Sequence, residues 1–330
     1  MKKFVSFVAA STIIASAASA SQITGTGSSF AAPAYKHWSS AYYNATENEV
    51  TYTATGSGAG IRSIKKRLVN FGGTDKPLTP KVLRANRLYM FPTLIGSIDL
   101  AYNIPGIKDN QLKLSSKAIA GIFDGKIKYW DNAEIVKNNQ GLHLPHKAIN
   151  VCVRSDGSGT TFNFTYYLSK IDSKDFSAHK SFNWKANIIG GKGNQGVTSN
   201  IKQNRYSIGY IEYAYKLESG LPAAMIENKE GYWIKPTVKS FQDGAKYASW
   251  SKKSDFYALI GDPKGKTSYP IIAATFVLIP AEKIHGDKNV IKFFNWSFKH
   301  GDKIIKKLGY VPLPASTKNE IRSYWREKGL

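Results

Sequence analysis

Residues Leu94–Ile107 read LIGSIDLAYNIPGI. The apolar run stops at Asn103 and is broken by Pro105 and Gly106, so it predicts a buried strand that ends in a turn. A second such run, SYPIIAATFVLIP at Ser268–Pro280, is rich in β-branched residues and carries proline near its start and at its end. Between these two strands lies a length of chain sufficient for a domain of its own. Outside them lie an N-terminal and a C-terminal piece. All three alternate helix with strand. KHWSSAYYNA gives way to EVTYTATG, SKAIAGIFDG precedes the strand AINVCVRS, YSIGYIEYAY reads as a further strand, and the stretch around Lys288–Gly309 is helical, with Val290, Phe293, Phe294, Phe298 and Ile304 at near-helical spacing. Helix alternating with strand predicts parallel sheets covered on both faces. The simplest architecture is two α/β domains joined by two crossing strands. One domain is discontinuous (residues 21–103 with 275–330) and the other is residues 104–274, with the crossings near Asn103 and Thr275. Ligands of open α/β sheets sit beyond the carboxyl ends of the strands, and two such domains face to face make that place a cleft.

Composition bounds the chemistry. The 330 residues are 42% hydrophobic, enough for a sizeable core. Residues 1–20 differ from the rest: MKK, an apolar run, then Ala18-Ser19-Ala20. That pattern predicts a secretory signal peptide cleaved after Ala20, hence a soluble periplasmic or secreted protein. The only cysteine is Cys152, in a strand-like setting, so it reads as a core thiol and no disulfide can form within the chain. The formal charge is +23, or +21 without Lys2 and Lys3. The lysines are dispersed and no nucleic-acid-binding motif accompanies them, so the excess reads as a solvated surface without a specific nucleic-acid partner.

Three glycine–serine turns carry the chemistry. GTGSSFAAPAY begins at Gly25, and after Phe30 the residues Ala34, Trp38 and Tyr42 fall on one helix face, with Pro33 in the first turn. TGSGAGIRSI leads into a stripe of Ile61, Ile64 and Leu68. VRSDGSGTTF, Val153–Phe162, sets Arg154, Asp156, Ser158 and Thr160 on alternate positions with Gly157 and Gly159 between them; the FNFTY that follows reads as helix or strand. The first N–H groups of a helix lack internal acceptors and point along the positive end of its dipole. Three such ends converging make a cage for an anion. An arginine fork and hydroxyls fit an oxyanion, while glycines allow close approach. Asp75, in FGGTDKPLTP, reads either as a turn cap or as the acceptor of a proton carried by the ligand.

Other motifs do not add up. GGKGNQG satisfies G-x-G-x-x-G at Gly191, Gly193 and Gly196 but lacks the acidic residue a dinucleotide site needs, so it reads as a loop and helix start. Ser158 has Asp156 where a hydrolase elbow needs glycine. His143 and His146 are separated by Pro145, Asp124 and Asp131 read as loop carboxylates, and neither a metal site nor a cofactor is expected.

In order and spacing, ITGTGSSFAAPAY, TGSGAGIRSI, FGGTDKPL, FPTLIGSIDLAYNIPG, IFDGKIKYWDN, VRSDGSGTTFNFTYYLS, GGKGNQGV and SIGYIEYAY resemble the periplasmic phosphate-binding proteins of phosphate-specific ABC transporters (PstS type). The likeness spans the chain from Ser21 to the C-terminal helix. It implies a two-lobed, type II periplasmic binding protein with two hinge strands, no enzyme activity, and inorganic phosphate between the lobes. The partner would be an inner-membrane permease of an ABC importer, and the protein a monomer. By motif, the ligand set would be the Ser29 hydroxyl, the Phe30 amide, Ser57, Asp75 as acceptor of the phosphate proton, Arg154, Ser158, the Gly159 amide and Thr160, with Asp156 holding the Arg154 fork. The first turn reads GSSF where members often read GATF, which keeps the hydroxyl. The alternatives are a secreted phosphatase, or a basic surface protein or adhesin on the same scaffold.

Overall fold

The structure is a computed structural model that describes residues 22–282 and 287–330. The expected signal peptide and its cleavage site lie outside the described residues. Among the described residues, nine strands form one mixed sheet. Across it run Val50–Ala54, Ile23–Gly27, Phe71–Thr74, Ile272–Pro280, Leu88–Asn103, Ser207–Glu212, Asn150–Arg154 and Ile188–Gly191, with Val311–Pro312 also pairing on Leu88–Asn103.

The two halves of this sheet belong to two lobes, and the strand Leu88–Asn103 runs through both. Its 16 residues extend about 50 Å at roughly 3.3 Å each, about three times an ordinary strand. Leu88–Ser97 pairs antiparallel with Ile272–Pro280, and Ile98–Asn103 pairs antiparallel with Ser207–Glu212. The handover between partners falls between Ser97 and Ile98. Leu94, Ile95, Ile98, Leu100 and Tyr102 are all fully buried, as a strand covered on both faces requires; so are Ser97 and Asp99 between them, where Ser97 Oγ donates to Asp99 Oδ1 at 2.8 Å. Asn103 is the last residue of this strand. Thr275 lies within Ile272–Pro280, at a shift in register against Leu88–Asn103.

The expectation of parallel sheets holds on the flanks and fails at the joint. Ile23–Gly27 pairs parallel with Val50–Ala54 and Phe71–Thr74, and Asn150–Arg154 pairs parallel with Ile188–Gly191 and Ser207–Glu212. The central strands are antiparallel, because a chain that crosses between lobes and returns must reverse direction there.

Local readings are refined in four places. FNFTY is helical, inside Gly159–Ile171. The YSIGYIEYAY strand stops at Glu212, and Tyr213 opens a helix that Glu212 caps by accepting from the Ala214 amide. The helix after Gly56 ends at Lys65, so Leu68 leaves the Ile61–Ile64 stripe and is 69% exposed. The C-terminal helical stretch breaks at Gly301 into Asp287–His300 and Asp302–Lys307, so that Ile305 is fully within the core while Ile304 is half-buried against it. The cluster around Tyr35, where Trp38, Tyr52, Phe71 and Phe294 meet it stacked or edge-on, anchors the first helix.

Candidate functional site

Each of the three turns read from the sequence joins a strand to a helix: Ile23–Gly27 to Ala32–Thr46, Val50–Ala54 to Ser57–Lys65, and Asn150–Arg154 to Gly159–Ile171. A fourth does the same, Ile188–Gly191 to Gly193–Gln203. All four lie at the carboxyl ends of parallel strands, two from each lobe, where an open α/β sheet places its ligands. Here the lobes meet directly. The Gly58 amide donates to the Gly157 carbonyl at 2.7 Å, and Asn163 Nδ2 donates to the Asp75 carbonyl at 2.7 Å. A Cβ on Gly159 would lie 2.3 Å from Ser57 Oγ and 2.5 Å from Asp75 Oδ2, so only glycine permits this approach. Gly56, at φ +88°, lies equally close beneath the Asp156 carboxylate.

Arg154 is the organised cation of the site. Its side chain is 1% exposed. Nε donates to Asp156 Oδ1 at 2.7 Å and Nη2 to Oδ2 at 2.6 Å, a two-point fork. Nη1 donates to Thr160 Oγ1 at 3.2 Å. Burial pushes the Asp156 carboxyl up, but its bonds to Arg154, with the Gly193 amide at 3.1 Å, outweigh burial and hold it below the ordinary carboxylate range. Asp156 is therefore ionised and keeps the guanidinium in one orientation.

Asp75 is buried and surrounded by hydroxyls. Ser28 Oγ donates to Oδ1 at 2.6 Å and Thr275 Oγ1 donates to the same oxygen at 2.7 Å. Ser57 Oγ donates to Oδ2 at 3.2 Å while accepting from the Asp75 amide at 3.1 Å. Burial raises the carboxyl above its ordinary value, with these hydroxyls and Arg154 pulling against it. Oδ1 thus has two short donors, and Oδ2 has one longer donor and a free lone pair. Asp75 caps no helix; the helix that follows, Pro80–Ala85, is capped by Thr79.

The remaining expected residues take these places. Ser29 Oγ accepts from the Asn194 amide and from Asn194 Nδ2, both at 3.0 Å. Phe30 is fully buried, and its carbonyl accepts from Tyr310 Oη at 2.6 Å. Ser158 caps its helix, accepting from the Thr161 amide at 2.9 Å. Thr160 Oγ1 accepts from Arg154 and, at 3.2 Å, from Asn194 Nδ2. Direct contacts thus join Ser57 with Asp75, and Arg154 with Asp156 and Thr160; Asn194 links Thr160 to Ser29. No such contact joins Phe30 or Ser158 to the others among the described residues.

Sequence reading missed Ser28, Asn163, Asn194 and Tyr310. Ser28 stands beside Ser29 and was legible as an alternative hydroxyl. Asn194 sits inside GGKGNQG, where the glycine pattern draws attention away from it.

Other chemistry is weakly represented. Burial pushes the Cys152 thiol up to about 11, so it is no thiolate at neutral pH. Asp124, Asp172 and Asp175 lie close enough to hold a cation, but Lys126 already bonds both Asp124 and Asp175 at 2.6 Å. Four cations gather beside the elements of the site. Arg62 and Lys65 stand on the Ser57–Lys65 helix, Lys76 follows Asp75 and lies over the Phe162 ring at 5.0 Å, and the Lys180 carbonyl accepts from the Ser158 amide. Burial, and then Lys76, Arg62 and Lys65, hold the Lys180 amine below its ordinary value.

A family model described as a PBP superfamily domain matches residues 14–300. The chain is 42% identical over 314 residues to the phosphate-binding protein PstS of Haemophilus influenzae, covering 94% of each chain. It is 41% identical over 312 residues to the phosphate-binding protein PstS of Pasteurella multocida, covering 93% of this chain and 90% of that one. Among solved structures, a high-affinity periplasmic phosphate-binding protein, PfluDING, solved with phosphate bound, superposes with a TM-score of 0.76 at 19% identity, covering 92% and 93% of the two chains. That likeness carries the two-lobed fold. With a superfamily match over most of its length and relatives above 40% identity that it matches over nine tenths of their length or more, the chain belongs to the PstS family within the PBP superfamily.

Proposed function

We propose that the protein binds inorganic phosphate between its lobes in the periplasm and delivers it to the permease of an ABC importer. The observation that carries this reading is the donor pattern at the junction of the lobes. One locked arginine, several hydroxyls and four helix-opening turns suit an oxyanion. One buried carboxylate, Asp75, suits an oxyanion that bears a proton. The ligand set is Ser29, the Phe30 amide, Ser57, Asp75, Arg154, Ser158, the Gly159 amide and Thr160, with Asp156 in support. The Ser158 hydroxyl can cap its helix and still donate its proton, so the two roles do not compete.

The lobes are residues 21–103 with 275–330, and 104–274; they turn about the crossing strands. The relatives' printed name, phosphate-binding protein PstS, supports phosphate as the ligand; export to the periplasm and a permease partner belong to the proposal. The protein acts as a monomer without cofactor or metal, and it holds phosphate rather than cleaving it. A phosphatase needs a metal pair or an activated nucleophile. The hydroxyl in the expected position, on Ser158, has no histidine bonded to it among the described residues.

Calorimetric titration tests the reading. Phosphate binds, arsenate competes, and sulfate binds hardly at all. X-ray scattering on the same samples shows a smaller radius of gyration with phosphate added. Equal binding of sulfate overturns the assignment, and release of phosphate from a monoester restores the phosphatase. Phosphate binding with an unchanged scattering curve counts against the lobe boundaries.

The four cations make a kinetic prediction. Lying beside the site, they raise the local anion concentration and speed its arrival, and salt screens that effect. Stopped-flow measurements will show the association rate of phosphate falling severalfold from low to high salt, with dissociation little changed. The salt dependence will be shallower in a Lys65→Gln, Lys180→Gln variant. An association rate indifferent to both changes removes the steering role.

A further inference from the structure

We infer that Asn194 is the positioning residue that fixes the Ser29 and Thr160 hydroxyls, one from each lobe, as donors toward the bound anion. The inference rests on the phosphate reading and goes beyond it, because Asn194 lies outside the turns from which the ligand set was read.

The reasoning is an account of hydrogens. Asn194 is fully buried at the start of the Gly193–Gln203 helix. Its Oδ1 accepts from the Glu212 backbone amide at 3.0 Å. A backbone amide only donates, so the side-chain oxygen must lie on that side and the NH₂ on the other. Nδ2 then donates to Ser29 Oγ at 3.0 Å and to Thr160 Oγ1 at 3.2 Å. Ser29 Oγ also receives the Asn194 backbone N–H at 3.0 Å, and Thr160 Oγ1 also receives Arg154 Nη1 at 3.2 Å. Neither an amide N–H nor a guanidinium can accept. Each hydroxyl oxygen thus has two donors on its two lone pairs and one hydrogen left to give. That hydrogen cannot turn back onto its neighbours and is aimed at an acceptor in the cleft. The unprotonated oxygens of the anion are acceptors, so these rotors are set for them before it arrives. The same residue ties the lobes together, because Ser29 and Thr160 lie on opposite sides of the cleft.

A side chain of the same shape and opposite polarity separates this role from packing. In Asn194→Asp the carboxylate accepts where the amide donated, so both hydroxyls turn their hydrogens toward it and away from the anion. In Asn194→Ala the hydroxyls lose a donor but remain free to face the anion. By calorimetry, phosphate affinity will fall roughly two- to fivefold in N194A, the scale of one neutral hydrogen bond, and roughly tenfold or more in N194D, the scale set by hydrogen bonds to a charged group. The N194D deficit relative to wild type will shrink on acidification, as the introduced carboxyl takes up a proton and can donate again. It will also shrink when Ser29 is first replaced by alanine, since one of the hydroxyls it misdirects is then gone. A purely structural asparagine gives the reverse order, with the cavity in N194A worse than the isosteric N194D, and that result overturns the inference. So does an N194D penalty that is the same with and without Ser29, which marks plain repulsion.

Neutron diffraction on deuterium-exchanged wild-type protein with phosphate bound gives the answer without any variant. The Ser29 and Thr160 deuterons should point at phosphate oxygens, and either one pointing at Asn194 overturns the inference. Wild-type protein that takes no phosphate overturns the phosphate reading instead, so the two failures are distinguishable.

Discussion

Titrated in parallel with phosphate and sulfate, Asp75→Asn will lose most of the wild-type preference for phosphate. Shape separates the two anions poorly, since both are tetrahedral and of similar size. They differ in protons: phosphate near neutral pH keeps at least one P–O–H, and sulfate has none. Asp75 Oδ1 is occupied by Ser28 and Thr275, whereas Oδ2 has only the longer bond from Ser57. Oδ2 is thus the oxygen that can accept a ligand proton. Sulfate presents a lone pair there, against a buried carboxylate. A site built around such a group rejects an analogue without the partner by roughly 10⁴–10⁵, and that is the expected wild-type ratio. In Asp75→Asn the amide oxygen can still receive Ser28 and Thr275, and the NH₂ replaces Oδ2. Phosphate loses its acceptor, at about 1.5–3 kcal/mol for a hydrogen bond to a charged group. Sulfate gains a donor and loses the repulsion. Both shifts narrow the ratio, together by about 10²-fold or more on the same scale. Competition calorimetry on wild type and variant measures it, with arsenate as the proton-bearing control. A variant with the wild-type ratio would show that Asp75 serves only to hold Ser28, Ser57 and Thr275 in place.

Arg154→Ala will damage binding and folding together, and the two losses can be read apart. Among the described residues, the guanidinium is the one full positive charge whose donors are fixed within the site. Losing its bonds to the anion costs about 1.5–3 kcal/mol of affinity. Its removal also leaves Asp156, with a side chain 14% exposed, facing Gly56 and the Gly193 amide without its counter-ion. Breaking a buried pair from one side costs about 3–5 kcal/mol, the upper limit here because Asp156 is partly solvated. Thermal unfolding without phosphate reads that term, and calorimetry on protein still folded reads the first. Arg154→Lys will keep the charge and recover part of the affinity, because an ammonium cannot hold both Asp156 oxygens and Thr160 in one plane. Removing Asp156 as well should restore some stability without restoring affinity. Wild-type phosphate affinity in Arg154→Ala would take this residue out of the site.

The sequence alone determined the parts whose physics is local. The two largely apolar runs, each broken by proline, mark the crossing strands, because a strand buried on both faces is made mostly of apolar residues. The glycine–serine turns mark the starts of three helices, because capping and left-handed turns are decided within a few residues. The Arg154–Asp156 fork spans two positions, yet its pairing came from the family resemblance and not from the spacing. What needed the tertiary structure is whatever depends on the path of the chain between distant segments. The expected all-parallel sheet fails at the joint because reversal there is a consequence of crossing and returning, which no window of sequence contains. Asp75 looks like a turn residue until Thr275, 200 positions away, donates to it. Asn194 looks like part of a loop until it meets Ser29 at a separation of 165 residues. Periodicity and turn chemistry report the conformation of a segment, whereas a hydrogen bond between lobes exists only once the topology has brought two segments within about 3 Å.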